Sequence, residues 1–353
     1  MKLFSTVPFS ALFKSNVDAC RVAVFASVLF LPGALLAMPG MQPERTVPDA
    51  DEPPAQSSVT EQDADTRERV TLWLDMYRAE PLPFEAVMED LEEVDIVYVG
   101  ETHTLKRHHQ WQAKILENLI EAKDGRMVLG LEQIEQFNQP EVDRFNAGEI
   151  DFDELAKEIN WSRRWSNYED YRPLLELAQR KGVPVLALNG RAETIRKVGR
   201  HGLDELDRSE RRELPARMDF DDPDYRRLLD QMMMVHASID EDTLERIFQA
   251  QVARDENMAE TLADFLQEPG HRDYSAMVVA GSGHLSYGLG TVDRVRARLP
   301  QTSDRIVLMT VSGDLVLSES QKRLARPVTI THEDLRYLQR PKADYLQLTE
   351  PDE

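Results

Sequence analysis

Cysteine is almost absent: the 353-residue chain has one, Cys20. It stands before the first long apolar run, whereas a lipobox cysteine would follow one, and a chain cut after that run would hold no cysteine. Disulfides, thiolate metal sites and cysteine nucleophiles are thereby excluded. Basic charge is also short. Lys and Arg number 42 against 64 Asp and Glu, a formal net charge of −22, and such a surface cannot neutralise a phosphate backbone, so nucleic acid is excluded as a partner. The hydrophobic content of 41% is enough for a packed core and excludes disorder along the whole chain. No repeat of 20 to 50 residues is present. The long apolar stretch, VAVFASVLFLPGALLA at 22–37, follows Lys2, Lys14 and Arg21. Residues 1–37 read as a signal peptide cleaved after Ala37, which implies export to the periplasm or cell envelope. Left uncleaved, the same stretch would associate with a membrane, although Pro32 and Gly33 interrupt it.

Residues 38–66, rich in Pro, Asp, Glu, Gln and Ser without an apolar period, read as a flexible acidic linker. The expected folded domain runs over 67–320, with a mostly polar tail at 321–353. A helix is expected from Arg67, with Val70, Leu72, Trp73, Met76 and Tyr77 on its apolar side and Pro81 and Pro83 ending it. A second, short helix follows at 84–91. Five nearly unbroken apolar runs, at 96–99, 127–131, 183–188, 277–280 and 306–311, suit strands buried on both faces of a parallel sheet. Amphipathic stretches at 111–122 and 171–180 read as crossover helices. The pattern predicts an α/β fold, a mostly parallel sheet with flanking helices. Residues 191–272, charged and rich in Leu, Arg and Met with no strand pattern, read as a helical insertion. VTITHEDL at 328–335 reads as an edge strand followed by a turn.

Histidine is scarce, eight in all, yet two strand ends carry the same gesture: Gly100-Glu101-Thr102-His103 and Gly281-Ser282-Gly283-His284. The second strand ends in Glu132 and Gln133, the third in Asn189. Ligands of open α/β sheets bind beyond the carboxyl ends of the strands, so these groups are expected at one rim, each glycine letting the backbone turn sharply. Imidazole beside carboxylate can hold a divalent metal such as Mn, Zn or Co through Glu101, His103, Glu132 and His284. The same four can act without metal, as base and acid on a bound water or hydroxyl. The plain alternative is that the histidines bridge loops. GSGHLSYG fails as a dinucleotide fingerprint, because its third glycine position is Ser286. His108 reads as a solvated helix start, and His109 shares a helix side with Gln112 and Leu116. In QMMMVHA at 231–237, Met232, Met233 and His236 lie at helical spacing, which suits core filling or a haem slot. The helix at 250–266 turns Val252, Met258, Leu262 and Leu266 inward, and leaves Arg254 and Asp255 to solvent.

GETH at 100–103, His108 and His109 with Gln112, the strand ending in Glu132, ALNG at 187–190, VGRHGL at 198–203, His236, AQVARDENMA at 250–259 and GSGH at 281–284 together resemble the ChaN-like haem-binding uptake proteins. These belong to the wider superfamily of Tiki, TraB and erythromycin esterase. The ordered set covers roughly residues 90 to 300. The resemblance implies an α/β domain with a helical insertion, an envelope location in a bacterium and a link to haem or iron uptake. In the wider superfamily the paired G-x-x-H motifs and the glutamate form a hydrolytic site, with a divalent metal in some members, which here implies Glu101, His103, Glu132 and His284. No motif singles out a haem-ligating tyrosine, so the candidates are Tyr225, Tyr287, His236 and His109. Two functions follow as expectations: an envelope haem-binding protein, or a metal-dependent hydrolase of peptidase or esterase type acting on a small molecule or peptide. Self-association as a homodimer is left open.

Overall fold

Strand β3 (Ile96–Glu101) shows how the apolar runs build the sheet: all six residues are buried. Val97 and Val99 join a core cluster on one face, while Ile96 and Tyr98 join a second cluster on the other. A strand covered on both faces has no polar side to show, which is why the run is unbroken. Each such side chain contributes about 1.5–3 kcal/mol by leaving water.

The computed structural model describes residues 71–234, 240–311 and 332–349. The expected signal peptide, the linker and His236 lie outside the described residues. The other strands are β1 (Thr71–Asp75), β2 (Glu80–Leu82), β4 (Met127–Glu135), β5 (Val185–Asn189), β6 (Ser275–Gly281), β7 (Asp304–Val311) and β8 (Tyr345–Thr349). They form an eight-stranded sheet in the order β2-β1-β8-β7-β3-β6-β4-β5. From β8 to β5 every pairing is parallel, and β1 pairs antiparallel with both β2 and β8. The fold is α/β with a mostly parallel sheet between helices.

The first six helices are α1 (Phe84–Leu91), α2 (Lys106–Ala122), α3 (Gln139–Asn146), α4 (Phe152–Glu158), α5 (Trp161–Arg164) and α6 (Arg172–Lys181). The stretch between β5 and β6 holds α7 (Ala192–His201), α8 (Arg208–Arg211), α9 (Pro223–Met234) and α10 (Glu241–Gln267), and no strand among its described residues. Helices α11 (Thr291–Arg298) and α12 (His332–Leu335) follow. Ile115, Leu116 and Leu119 of α2 pack on the first face of the sheet, and Met258 and Leu262 of α10 on the second. Among the described residues no helix is long and apolar enough to cross a membrane.

One expectation is corrected here. The helix predicted from Arg67 is strand β1 over its described part. Trp73 and Asp75 turn inward while Leu72 is exposed, a period of two, because Trp73 packs on Phe84 and Trp111 with ring centroids 5.4 and 5.3 Å away. Of the edge strand and turn expected at 328–335, residues 328–331 lie outside the described residues and His332–Leu335 form a single helical turn. The mostly polar stretch at 321–353 supplies β8, an interior strand of the sheet.

Candidate active site

Glu101 ends β3 with its side chain fully buried. Five groups point hydrogen-bonding atoms at its carboxylate. Oε1 accepts from His103 Nδ1 at 2.7 Å, from Gln133 Nε2 at 2.9 Å and from the Tyr171 hydroxyl. Oε2 accepts from Gln112 Nε2 at 2.5 Å and has His109 Nδ1 at 3.3 Å. Burial opposes the charge on Glu101, but the His103 and His109 bonds outweigh it and hold the carboxyl well below its usual range. The same partnership works on His109. Burial alone would lower its pKa, and Glu101 raises it instead. Its Nε2 donates to the His103 carbonyl at 3.0 Å, so both ring nitrogens face acceptors and the imidazolium fits.

His108, expected at a solvated helix start, is buried. Its Nδ1 accepts the Thr102 N–H at 3.0 Å, and burial pushes its pKa down to about 4. The neutral ring thus closes the turn between β3 and α2 in place of a side-chain cap, which α2 lacks.

A second centre forms where β4, β6 and α10 meet. The β4–β5 register shifts between Leu131 and Glu135, at the point where Glu132 turns to the site, and irregularities of this kind re-aim side chains. Glu132 Oε1 accepts from Arg254 Nη2 at 2.7 Å and lies 3.3 Å from His284 Nε2, while Oε2 accepts the Gly281 N–H at 2.6 Å. On the other side of the ring, His284 Nδ1 lies 2.7 Å from Asp255 Oδ1. Asp255 also accepts from the Tyr225 hydroxyl at 2.6 Å and from Thr291 Oγ1 at 2.8 Å. Burial works against charge on His284, but the Glu132 and Asp255 carboxylates prevail and its pKa is pushed up to about 9.

The two centres share a wall. Glu101 pairs with Gly281 across the β3–β6 ladder, and a Cβ on Gly281 would stand 2.8 Å from His103 Nε2 and 3.5 Å from Glu132 Oε2. Gly281 is needed for space and not for a sharp turn, since its φ of −57° is open to any residue. Gly100 is likewise excluded from carrying a side chain by Leu308. Both glycines therefore let strands and rings approach closely.

The expected rim is present: Glu101, His103, Glu132 and His284 converge at adjacent strand ends, with Gln133 and Asn189 beside them. Their use as a metal set finds no support. Among the described residues no group of three His, Cys, Asp or Glu is arranged to hold a metal ion. The carboxylates are already occupied by donors, and a protonated His284 has no lone pair to offer. Two of the haem candidates have their polar atoms already engaged. Tyr225 is fully buried with its hydroxyl on Asp255, and both nitrogens of His109 are engaged. Sequence reasoning missed Asp255 and Arg254, which it left on a solvated helix face. Asp255 is buried, and Arg254 is largely covered.

His103 is the least covered of the four. Its Nδ1–H is held by Glu101, and the side chain is 18% exposed, with its ring edge-on to Trp165 at 4.8 Å. The Glu101 carboxylate orients the imidazole through Nδ1, while Nε2 lies beside the Gly281 backbone at the wall the two centres share.

ChaN of Campylobacter jejuni, whose structure shows cofacial haem binding, is 18% identical; the match covers 80% of this chain and 97% of that one with a TM-score of 0.58, which shows a common fold. An erythromycin esterase variant in its open conformation is 11% identical over 68% of this chain and 77% of its own, with a TM-score of 0.41. The chloroplastic protein RETICULATA-RELATED 5 of Arabidopsis thaliana is 25% identical over 264 residues, 68% of this chain but only 34% of that protein's length. The family model for haem-binding uptake proteins of the Tiki superfamily, ChaN, matches residues 87–295, more than half of the chain and every residue of both centres, and the chain belongs to that family.

Proposed function

We propose that this chain binds haem in the cell envelope of a bacterium, reached through the export segment at 1–37, and serves haem or iron uptake. Family membership over 87–295 carries the reading. Apolar surroundings are offered by the cluster of α9 and the start of α10, where Leu228, Leu229, Met232, Phe248 and Leu289 pack together with Tyr287 against them. A porphyrin needs an apolar slot and an iron ligand. Tyr287, half-buried on a left-handed backbone with φ of 62°, offers a phenol whose pKa burial raises. His236 follows α9 by two residues in sequence. Hemin titrated into the full chain is expected to give a saturable Soret shift, weakened about tenfold, or about 1.4 kcal/mol, in Tyr287→Phe. A titration without saturation ends this reading.

A second reading rests on the Glu101–His103 pair: metal-free hydrolysis of an ester or peptide, with His103 Nε2 taking a proton from water. Hydrolysis of p-nitrophenyl acetate is expected to fall about 100-fold in His103→Ala and to be unchanged by a chelator. Wild-type rates equal to buffer would remove it.

A further inference from the structure

The protein is strongly acidic, with a formal charge of −22, yet one cleft is cationic. It has a volume of about 520 Å3 and opens beside Glu132, Gln133 and Asn189 at the carboxyl ends of β4 and β5. Five arginines line it: Arg163 and Arg164 of α5, Arg196 and Arg200 of α7, and Arg254 of α10. Arg196 and Arg200 lie four residues apart and so share a helix face. Only two carboxylates, Glu132 and Glu135, are in the lining.

The pairings leave a surplus. Arg254 is held by Glu132 at 2.7 Å. Arg164 bonds Glu193 at 2.5 Å and lies 3.5 Å from Glu135, and Arg196 lies 3.3 Å from Glu193. Arg163 and Arg200 are exposed and make no ion pair among the described residues. A second observation points to the same cleft. Gln133 is 3% exposed, and its Nε2 must face Glu101 because a carboxylate can only accept. Its Oε1 is then a buried acceptor with no hydrogen-bond partner, and buried polar atoms are normally satisfied.

We propose that the cleft binds a small organic anion, whose phosphate or carboxylate group is held by Arg163 and Arg200 and whose hydroxyl or N–H donates to Gln133 Oε1. Guanidinium forks match both acid groups, and two free ones at a concave mouth concentrate anions that the rest of the surface repels. Among the lining residues Tyr, His, Met and Cys are absent, so no iron ligand is offered and the site is distinct from a porphyrin slot. Trp165, which packs on His103, also lines the cleft, so the anion lies beside the Glu101–His103 pair. The site stands whether or not His103 is a base and whether or not haem binds.

Isothermal titration calorimetry of the full chain with inorganic phosphate, glycerol 3-phosphate and malate tests it, the last two separating the phosphate source from the carboxylate source. At least one hydroxylated anion is expected to bind saturably and more tightly than inorganic phosphate. The double variant Arg163→Gln/Arg200→Gln is expected to melt at the wild-type temperature and to bind at least about tenfold more weakly. The proposal is overturned if none of the three anions binds at up to about 20 mM, or if the double variant binds undiminished. It is also overturned if that variant loses hemin binding while keeping the anion, since the arginines would then serve haem propionates.

Discussion

His284 is charged because two carboxylates reach it from different elements, Glu132 from β4 and Asp255 from α10. That has a consequence for stability. An ordinary histidine titrates at 6.5 and this one at about 9 in the folded protein. The folded state therefore holds the proton more tightly than the unfolded chain. Its contribution is fully present below pH 6.5 and is lost as pH rises through about 9. The difference is worth about 3 kcal/mol at most. Urea midpoints are expected to fall between pH 6.5 and 9.5 in the wild type, and to fall less steeply in His284→Gln. Any slope left in the variant belongs partly to His109, which Glu101 shifts in the same direction. Equal slopes in the two proteins would mean that His284 is neutral and that the Glu132–Asp255 pairing does not hold its charge.

At the scale of elements, legibility follows burial. The runs that became β3, β4, β5, β6 and β7 stand out because strands covered on both faces are apolar throughout. β8 hides in a polar tail because its inward residues include Gln347 and Thr349, so its alternation carries little hydrophobic contrast. β1 is misread as a helix because five apolar residues within eight positions satisfy a 3.6 period as well as a strand does. The strand-end groups of the site are legible, since topology sends every carboxyl end of a parallel sheet to one rim. The contribution of α10 is not. Gln251, Asp255, Glu256 and Asn257 are all buried, yet a helix with four polar residues looks solvated until its partners are known. Asp255 needs His284, Tyr225 and Thr291 to be placed before its burial makes sense. Likewise the His108–His109 pair reads as a wet helix start until the Thr102 N–H and Glu101 are set against it.

For the whole molecule, the end of the chain is what joins the two parts of the sheet. β8 lies between β1 and β7, pairing antiparallel with one and parallel with the other, and the Asp344 side chain accepts the Ile306 N–H at 2.7 Å. Without β8 the β1–β2 hairpin has no neighbour in the sheet, and β7 becomes an open parallel edge, which invites association between chains. Tyr345 would leave the core cluster that also holds Trp73, Phe84 and Val307, and the loosening of Trp73 and Tyr345 together costs about 3 kcal/mol or more. The site itself sits on β3, β6 and β4, on the far side of β7 from the break. A chain truncated after Ala343 is therefore expected to melt at least about 6 °C lower and to elute earlier than the full-length protein on size exclusion. A chain truncated after Glu350, which retains β8, is expected to match the full-length protein in both measurements. If the chain ending at Ala343 elutes with the full-length protein and keeps its melting temperature, β8 is not an interior strand and the strand order is wrong.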